Sequence, residues 1–325
     1  MKITFAQAIS QAIKEEMIRD PHLTIIGEDI GFYGGYFKAT RGLYEKFGSV
    51  RVKDTPISET AIVGTAIGSS LLGYRVIAEI SYIDFLTLAS EQIINQAAKI
   101  HYMSGGRLKV PIVIRTQGGA GIRNAAQHSQ SIEALFMHIP GLKVVMPATP
   151  YDAKGLLKAS IRDDNPVIFI EHKKLYNMTG EVPGKDYIIE LGRADIKRKG
   201  KDITIIGNSY MTLVAIESAE LLEKEHGISC EVLDLRSISP LDKESIINST
   251  KKTSKVVVLH EACRQGGIGA EIISIIQEEA FDFLDSPVLR ICGPDNPVPF
   301  CSDLEDLFIL DKDQVSKKIL NHFKI

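Results

Sequence analysis

Short apolar segments that alternate with segments of helical periodicity constrain the fold of this 325-residue chain more than any other feature. In the first half of the chain, the segments that predict strands lie at 24–27, 75–80, 110–115, 142–147 and 167–170. Such an alternation predicts a parallel sheet that helices cover on both faces. Ligands of these sheets bind at the carboxyl ends of the strands, so we expect a functional site at that edge.

A second series of the same kind follows, with predicted strands at 203–207, 230–235 and 255–259. Between the two series, at 181–201, the hydrophobic pattern thins, as expected of a connection. At roughly 100–200 residues per domain, the length allows two domains. We therefore predict an α/β protein with domains at 1–185 and 201–325 and a linker at 186–200.

The stretch 54–60 places one carboxylate at the start of an unusually apolar helix. Pro56 disfavours a helix at the residue before it, and Ser58 is a typical N-cap. Glu59 then lies in the first turn of a helix predicted over 61–73, whose residues are apolar or small on every side, as in a helix packed all round. The helix dipole alone would explain an acidic first turn, but so apolar a helix would also hold Glu59 inside the protein.

Two further candidate residues follow predicted strands. Phe85 lies in the turn after 75–80, and His128 follows the glycine-rich loop 116–121. A lone histidine is more often structural, but amide and hydroxyl groups flank His128 and can fix its tautomer. The residues alone therefore predict a site in the first domain built from Glu59, the Phe85 turn and His128, without naming a reaction.

The composition is that of an ordinary globular protein, with 44% hydrophobic residues, 24% charged residues and a net charge of -3. The basic residues are dispersed, which predicts no nucleic-acid binding. No apolar run approaches the roughly 20 residues that span a bilayer, and the N-terminus shows no signal or presequence pattern, so we expect a cytoplasmic protein that does not bind membranes. The four widely spaced cysteines are expected to be reduced and mostly buried.

Over essentially its whole length, the sequence resembles the β subunits of the thiamine diphosphate-dependent E1 component of 2-oxo acid dehydrogenase complexes. The segments that carry the resemblance are 54–59 (DTPISE), 92–99 (QIINQAAK), 127–130 (QHSQ), 140–145 (PGLKVV), 152–156 (DAKGL), 234–236 (DLR) and 239–242 (SPLD). The resemblance implies a transketolase-like pyrimidine-binding domain with a parallel sheet, followed by a transketolase C-terminal-like α/β domain.

The resemblance also implies roles for the candidate residues. Glu59 matches the family glutamate that hydrogen-bonds the aminopyrimidine ring of the cofactor and favours the imino tautomer, which takes the proton from the thiazolium C2. Phe85 matches the aromatic residue that packs on this ring, and Ile57 belongs to the same cofactor-binding set. His128 matches a histidine suited to donate or accept protons while the acyl group passes to a lipoyl group.

A potassium site in the β subunit is implied as well. The matching positions, which would bind through backbone and side-chain oxygens, are Ile112, Ser160, Ile161, Asp163 and Asn165. Ser160 replaces the alanine or cysteine associated with the family, which a backbone carbonyl ligand would tolerate. An Asx-rich turn before Pro166 explains Asp163 and Asn165 equally well.

The chain contains no G-D-G sequence, the motif that opens the diphosphate and Mg²⁺ site in this superfamily. We therefore expect an E1 α subunit to supply those contacts in an α2β2 heterotetramer, with an E2 lipoyl acyltransferase as acyl acceptor and a small 2-oxo acid as substrate. The segment Glu171–Tyr176 resembles both pyruvate and acetoin dehydrogenase β subunits. We rank pyruvate first, acetoin second and branched-chain 2-oxo acids third.

Two other interpretations remain open at this point. A complete transketolase-like enzyme, such as a deoxyxylulose phosphate synthase, is disfavoured because the diphosphate motif is missing. A non-catalytic scaffold subunit is disfavoured because Glu59, Phe85 and His128 are all present.

Overall fold

The computed structural model describes all 325 residues, and the chain forms two compact units. The first unit comprises Met1–Gly118 and Leu135–Leu191, and the second comprises Gly119–Ala134 and Gly192–Ile325. The main division lies within the segment 186–200, where we expected the linker. The segment 119–134, expected in the first domain, groups with the second unit because carboxylates of that unit bind its backbone, as described below.

The strands of the first unit are β1 (Lys2–Thr4), β2 (Leu23–Gly27), β3 (Val52–Asp54), β4 (Arg75–Ile80), β5 (Ile112–Gly118), β6 (Lys143–Val145), β7 (Val167–His172) and β8 (Thr179–Glu181). Its helices are α1 (Phe5–Arg19), α2 (Leu43–Arg51), α3 (Glu59–Leu71), α4 (Ala98–Met103) and α6 (Pro150–Arg162), while the short helix α5 (Glu133–Met137) crosses the boundary at residue 134. Short 3-10 turns at Ile83–Thr87 and Lys173–Leu175 and a π-helical stretch at Gln92–Ala97 complete the unit. The strands lie in the order β6-β7-β5-β4-β2-β3 with every neighbouring pair parallel, which confirms the predicted parallel sheet.

Burial explains why these segments form strands and covering helices. The central strands β5 and β7 are buried along their whole length, as expected where helices cover both faces of a sheet. Helix α1 begins with a capping box, in which the Gln7 backbone N–H donates to Thr4 Oγ1 at 3.1 Å and the Thr4 N–H donates to Gln7 Oε1 at 2.9 Å. It then packs its buried face against α6, and the sheet carries the candidate site at its carboxyl edge.

The second unit contains a sheet of its own. The strands of this sheet are β9 (Asp195–Arg198), β10 (Ile203–Gly207), β11 (Cys230–Asp234), β13 (Val256–Cys263) and β14 (Leu289–Gly293), and the unit also contains the short strand β12 (Ser237–Ser239), which is not part of it. Its helices are α7 (Tyr210–His226), α8 (Lys243–Thr253), α9 (Gly269–Glu279), α10 (Ser302–Phe308) and α11 (Lys312–Phe323), with a 3-10 turn at Phe281–Phe283. The sheet order is β14-β13-β10-β11-β9, parallel except for the edge strand β9, and an apolar cluster centred on Ile205, Val232 and Val257 forms the core.

One local prediction was wrong. Helix α3 is not covered on every face by the rest of the chain, because Ala61, Thr65 and Gly68 are exposed, and nothing lies within 4 Å of where a Cβ at Gly68 would be. Helix α2 begins at Leu43, within a glycine- and aromatic-rich segment. Propensity did not reveal α2, whose sequence is short, mixed and interrupted at Gly48 by a positive φ of 72°.

The cysteines are all free, but the prediction that most are buried was also wrong. Only Cys230 is buried, while Cys263 and Cys301 are exposed and Cys292 is half-buried. Sequence spacing reports on disulfide and metal patterns and says nothing about burial. Among the helices of the structure, none has the length and hydropathy that crossing a membrane requires.

Candidate active site

Glu59 lies where the sequence predicted it, at the first residue of α3 with Ser58 in the N-cap position. The Thr55 N–H donates to the Gly27 carbonyl at 3.0 Å, which ties the start of the connection to the end of β2. Ser58 makes no side-chain cap hydrogen bond, so the first turn of α3 keeps unsatisfied N–H groups that favour a negative charge. Only 8% of Glu59 is exposed, and its carboxyl group is held at the carboxyl edge of the sheet.

Glu28 is a second acidic residue at this edge, and sequence reasoning missed it as a site residue. It follows β2 directly. Burial raises its pKa, and the nearby carboxylates of Glu59 and Asp29 raise it further. The signal was present in the sequence, because Glu28 ends a buried strand that neighbours β3 in the sheet. Paired carboxyls with a raised pKa are typical of sites that hold or move a proton.

Several buried polar atoms at the same edge have no hydrogen-bond partner within the chain. They follow or end the strands β2, β3 and β5, and they are Glu28 Oε1, Thr55 Oγ1, Thr116 Oγ1 and Gln117 Oε1. Buried polar atoms are rarely left without partners unless a ligand or water supplies them. A ring nitrogen or an amino group of a bound aminopyrimidine is a suitable partner for an oxygen atom of this kind.

Phe85 lies on the 3-10 turn that follows β4, and its N–H donates to the Tyr82 carbonyl at 2.9 Å. Phe85 is half-buried. The preceding Tyr82 is buried against Tyr36, with ring centroids 5.5 Å apart, and Lys173 Nζ lies 4.5 Å from the Tyr82 ring centroid. Ile57, by contrast, is 79% exposed. Ile57, Glu59 and Phe85 all lie in the segments that follow the parallel strands β3 and β4.

His128 belongs to the second unit. It is half-buried, on a segment in which the Gly119 N–H donates to the Gln130 carbonyl at 3.0 Å. The sequence predicted its loop but assigned it to the first domain. The structure thus gives Glu59 and Phe85 to one unit and His128 to the other.

Arg115 of β5 organises a buried ionic cluster that the sequence did not predict. Its Nε and Nη2 donate to the two Glu171 carboxylate oxygens at 2.6 and 2.8 Å, and its Nη1 donates to Glu79 Oε2 at 2.5 Å. Tyr176 Oη donates to Glu171 as well. Burial opposes the charge of Arg115, but Glu171 and Glu79 outweigh it and raise the arginine pKa. Every charge of this cluster is paired, so we assign it a structural role.

The residues matched to a potassium site do meet at one turn, but cationic side chains already hold it. Arg75 Nη1 donates to the carbonyls of Ile161 and Asp163 at 3.0 and 2.6 Å. The Asp163 carboxylate accepts from Lys143 Nζ and from the Asn165 N–H, the latter at 2.9 Å.

The Ser160 carbonyl accepts from the Asp163 N–H at 3.2 Å, and Ile112 lies in β5. Arg75 and Lys143 thus donate to three acceptors that the predicted potassium site would use. No group of three or more His, Cys, Asp or Glu side chains in the chain is arranged to hold a metal ion.

Comparisons with known families and structures agree with this fold. The family described as "Transketolase, pyrimidine binding domain" matches residues 1–179, and the family described as "Transketolase, C-terminal domain" matches residues 192–315. A solved structure described as "Split gene transketolase, inactive beta4 tetramer" is similar with a TM-score of 0.81 at 25% identity, covering 99% of this chain and 98% of that one. The predicted pair of transketolase-like domains is therefore confirmed.

Relatives of known name extend over nearly the whole chain. The 2-oxoisovalerate dehydrogenase subunit beta of Bacillus subtilis is 49% identical over 96% of both chains. The acetoin:2,6-dichlorophenolindophenol oxidoreductase subunit beta of Cupriavidus necator is 47% identical over 97% of this chain and 96% of its own. The pyruvate dehydrogenase E1 component subunit beta of Rickettsia conorii is 45% identical over 98% of both. The chain therefore belongs to the transketolase-like family of E1 β subunits of thiamine diphosphate-dependent 2-oxo acid dehydrogenases.

Proposed function

We propose that this chain is the β subunit of an E1 enzyme that decarboxylates a 2-oxo acid and passes the acyl group to the lipoyl group of an E2 acyltransferase. The observation that carries the proposal is the carboxyl edge of the first sheet. Glu59 opens α3 there beside Glu28, among buried polar atoms that lack partners. This is the environment in which a carboxyl group can share a proton with a ring nitrogen.

Thiamine diphosphate, when bound, supplies the carbon nucleophile and the electron sink for decarboxylation. Glu59 holds a proton at the ring nitrogen opposite the amino group, and low exposure strengthens that hydrogen bond. Phe85 and Ile57 pack on the ring and orient it. His128 donates or accepts a proton during acyl transfer.

An α subunit completes the enzyme as an α2β2 assembly, binding the diphosphate and Mg²⁺ and leaving the pyrimidine contacts to this chain. The absence of G-D-G from the sequence supports this division. The first unit also exposes several large apolar side chains, which a partner subunit would cover. They include Phe32, Tyr33, Tyr36, Ile57, Leu72, Leu88, Tyr102 and Met103.

Pyruvate is the substrate that we propose, because pyruvate dehydrogenase β subunits are numerous among the relatives. The relatives named for 2-oxoisovalerate and acetoin favour the alternatives. A direct comparison of kcat/KM for pyruvate, acetoin and 2-oxoisovalerate on the assembled enzyme decides among them. A higher value for either alternative would overturn the pyruvate assignment.

The shared site is tested by calorimetric titration of thiamine diphosphate and Mg²⁺ into this chain alone and into this chain with its α subunit. Heat of binding in the mixture alone is the expected result. Binding to the isolated chain would instead support the complete transketolase-like enzyme. A fully active complex that carries Glu59→Ala would support the scaffold interpretation.

The role of His128 is tested by separating the two half-reactions. His128→Ala is expected to lower lipoyl acylation much more than decarboxylation measured with an artificial electron acceptor. Equal losses in both would exclude a specific role in acyl transfer.

The potassium site stays a prediction, and the hydrogen bonds of Arg75 argue against it. Thermal unfolding in potassium chloride, sodium chloride and choline chloride at one ionic strength separates the two cases. A midpoint raised only by potassium would support a bound ion. Equal midpoints would leave Arg75 and Lys143 as the groups that hold this turn.

A further inference from the structure

Two carboxylates of the second unit hold the segment Gly119–Ala134, which carries His128. Glu305 Oε1 accepts the Gly121 N–H at 2.6 Å, and Glu305 Oε2 accepts the Arg123 N–H at 3.0 Å. Glu261 Oε1 accepts the Ala120 N–H at 2.7 Å. Backbone groups of the segment are thus satisfied by side chains that lie far away in the sequence, which is why the segment groups with the second unit.

The backbone of this segment has a shape that requires an anion. Positive φ angles occur at alternate positions, at Gly119 (85°), Gly121 (105°), Arg123 (63°) and Ala125 (58°), and not at the residues between them. Alternation of this kind makes a concave anion-binding nest, in which the Gly121 and Arg123 N–H groups face Glu305. Glu305 supplies the anion from within the chain.

The strain in the nest shows how much it depends on its contacts. A residue other than glycine is strained at positive φ, and both Arg123 and Ala125 adopt it. Such conformations persist only where the surroundings determine them. Ala120 packs in an apolar cluster with Val298 and Ile309, so contacts on both sides of Glu305 fix the first half of the segment.

Glu305 is fully buried, although it lies on the seven-residue helix α10. Arg123 Nη1 donates to Glu305 Oε2 at 2.8 Å, while Arg123 Nη2 donates to the exposed Asp306 at 2.7 Å. A buried carboxylate is stable only when its charge is neutralised and its lone pairs are used. The Glu305 carboxylate therefore joins the nest to α10.

We infer that Glu305 is a positioning residue for His128: its carboxylate fills the nest at 119–125 and so fixes the segment from which His128 acts. The inference rests on the proposed role of His128 for its catalytic consequence, while the structural part, the dependence of the segment on Glu305, stands without it.

The structural part is tested by hydrogen–deuterium exchange on the isolated chain. Glu305→Gln keeps the size of the side chain but removes the charge, and it points an amide group at N–H donors. We expect amide exchange within 119–131 to rise at least tenfold. Asp303→Asn, an exposed carboxylate on the same helix, is the matched control and should leave exchange unchanged. Unchanged exchange in Glu305→Gln would overturn the inference.

The catalytic part is tested in the assembly with the α subunit. Glu305→Gln should lower lipoyl acylation at least tenfold with little effect on decarboxylation, and the double variant with His128→Ala should be no worse than His128→Ala alone. Losses that multiply would overturn the inference. If Glu305→Gln fails to fold, Glu305→Asp replaces it in both experiments. Its loss of lipoyl acylation should be smaller and should increase with the amide exchange rate within 119–131. If amide exchange rises in Glu305→Gln while both Glu305→Gln and His128→Ala keep full lipoyl acylation activity, the proposed role of His128 is refuted.

Discussion

Glu79 and Glu171 share one buried arginine, whereas Glu28 and Glu59 form a second group of carboxylates, in which Glu28 directly follows β2, the strand next to that of Glu79. In the first group, Arg115 forms short hydrogen bonds with both carboxylates. In the second, the charges that act on Glu28 are those of Glu59 and Asp29, and Glu28 Oε1 has no hydrogen-bond partner. The paired group stabilises the sheet. The group of like charges is costly for the isolated chain, and under the proposed function the bound cofactor would offset that cost.

The largest effect is expected from the unpaired group. Glu59→Gln should slow exchange of the C2 proton of bound thiamine diphosphate by at least about 100-fold, because an amide cannot share a proton with the ring nitrogen. Proton NMR of the assembled enzyme in deuterium oxide measures this rate. Glu45→Gln, an exposed acid in the first turn of α2, is the control. An unchanged exchange rate in Glu59→Gln would refute the role of Glu59.

In the group that shares Arg115, we expect a loss of stability. Arg115→Met leaves Glu79 and Glu171 buried without a cation and should lower the free energy of unfolding by about 3–5 kcal/mol. Urea denaturation of the isolated chain measures it, with the exposed Arg107→Met as control. Adding Glu79→Gln and Glu171→Gln should restore most of the loss. A loss that persists in the triple variant would mean that packing, not charge, holds the cluster.

Glu133 tests whether burial without a cation is sufficient to disturb a carboxyl group. Burial, reinforced by the charge of Glu261, raises the pKa of Glu133 from its ordinary 4.5 to about 7. The folded chain therefore keeps a proton that the unfolded chain has lost, so stability falls as pH rises from about 4.5 through 7. Glu133→Gln should remove a fall of about 2 kcal/mol between pH 5 and pH 8. Parallel pH profiles of the two proteins, measured by urea denaturation, would contradict this.

The smallest effect concerns Glu28. Because burial and like charges raise its pKa, Glu28→Gln should stabilise the isolated chain at pH 8, by less than about 1 kcal/mol since solvent screens a half-exposed group. In a Glu59→Gln background the gain should shrink, as a double-mutant cycle would show. An equal gain in both backgrounds would mean that the two carboxyls do not interact.

Local signals in the sequence were enough to place Glu59 and Phe85. Pro56 and Ser58 mark the turn and the helix start, and β10 has the predicted bounds because a short apolar run has few alternatives. The cluster of Arg115 was beyond sequence reasoning, since its partners come from neighbouring strands of the sheet. A strand pattern shows that Arg115 ends an apolar run, but not which acids face it.

The position of the His128 segment could not be predicted for a similar reason. Its nest is filled by Glu305, which lies 184 positions after Gly121 in the chain. Local glycine content predicts a loop at 116–121 and nothing about the carboxylate that closes it. The exposed face of α3 is a different case, because an apolar helix does not reveal whether its own chain or another covers it.

The nest at 119–125 also sets a rule for recombining members of this family. A chimera that exchanges the two halves near residue 190 would take its His128 segment from one parent and Glu261 and Glu305 from the other. The loop and its two carboxylates form one structural module, although they lie at three separate places in the sequence. Crossovers that move these three places together preserve the module, and any single cut in the connection between the units divides it.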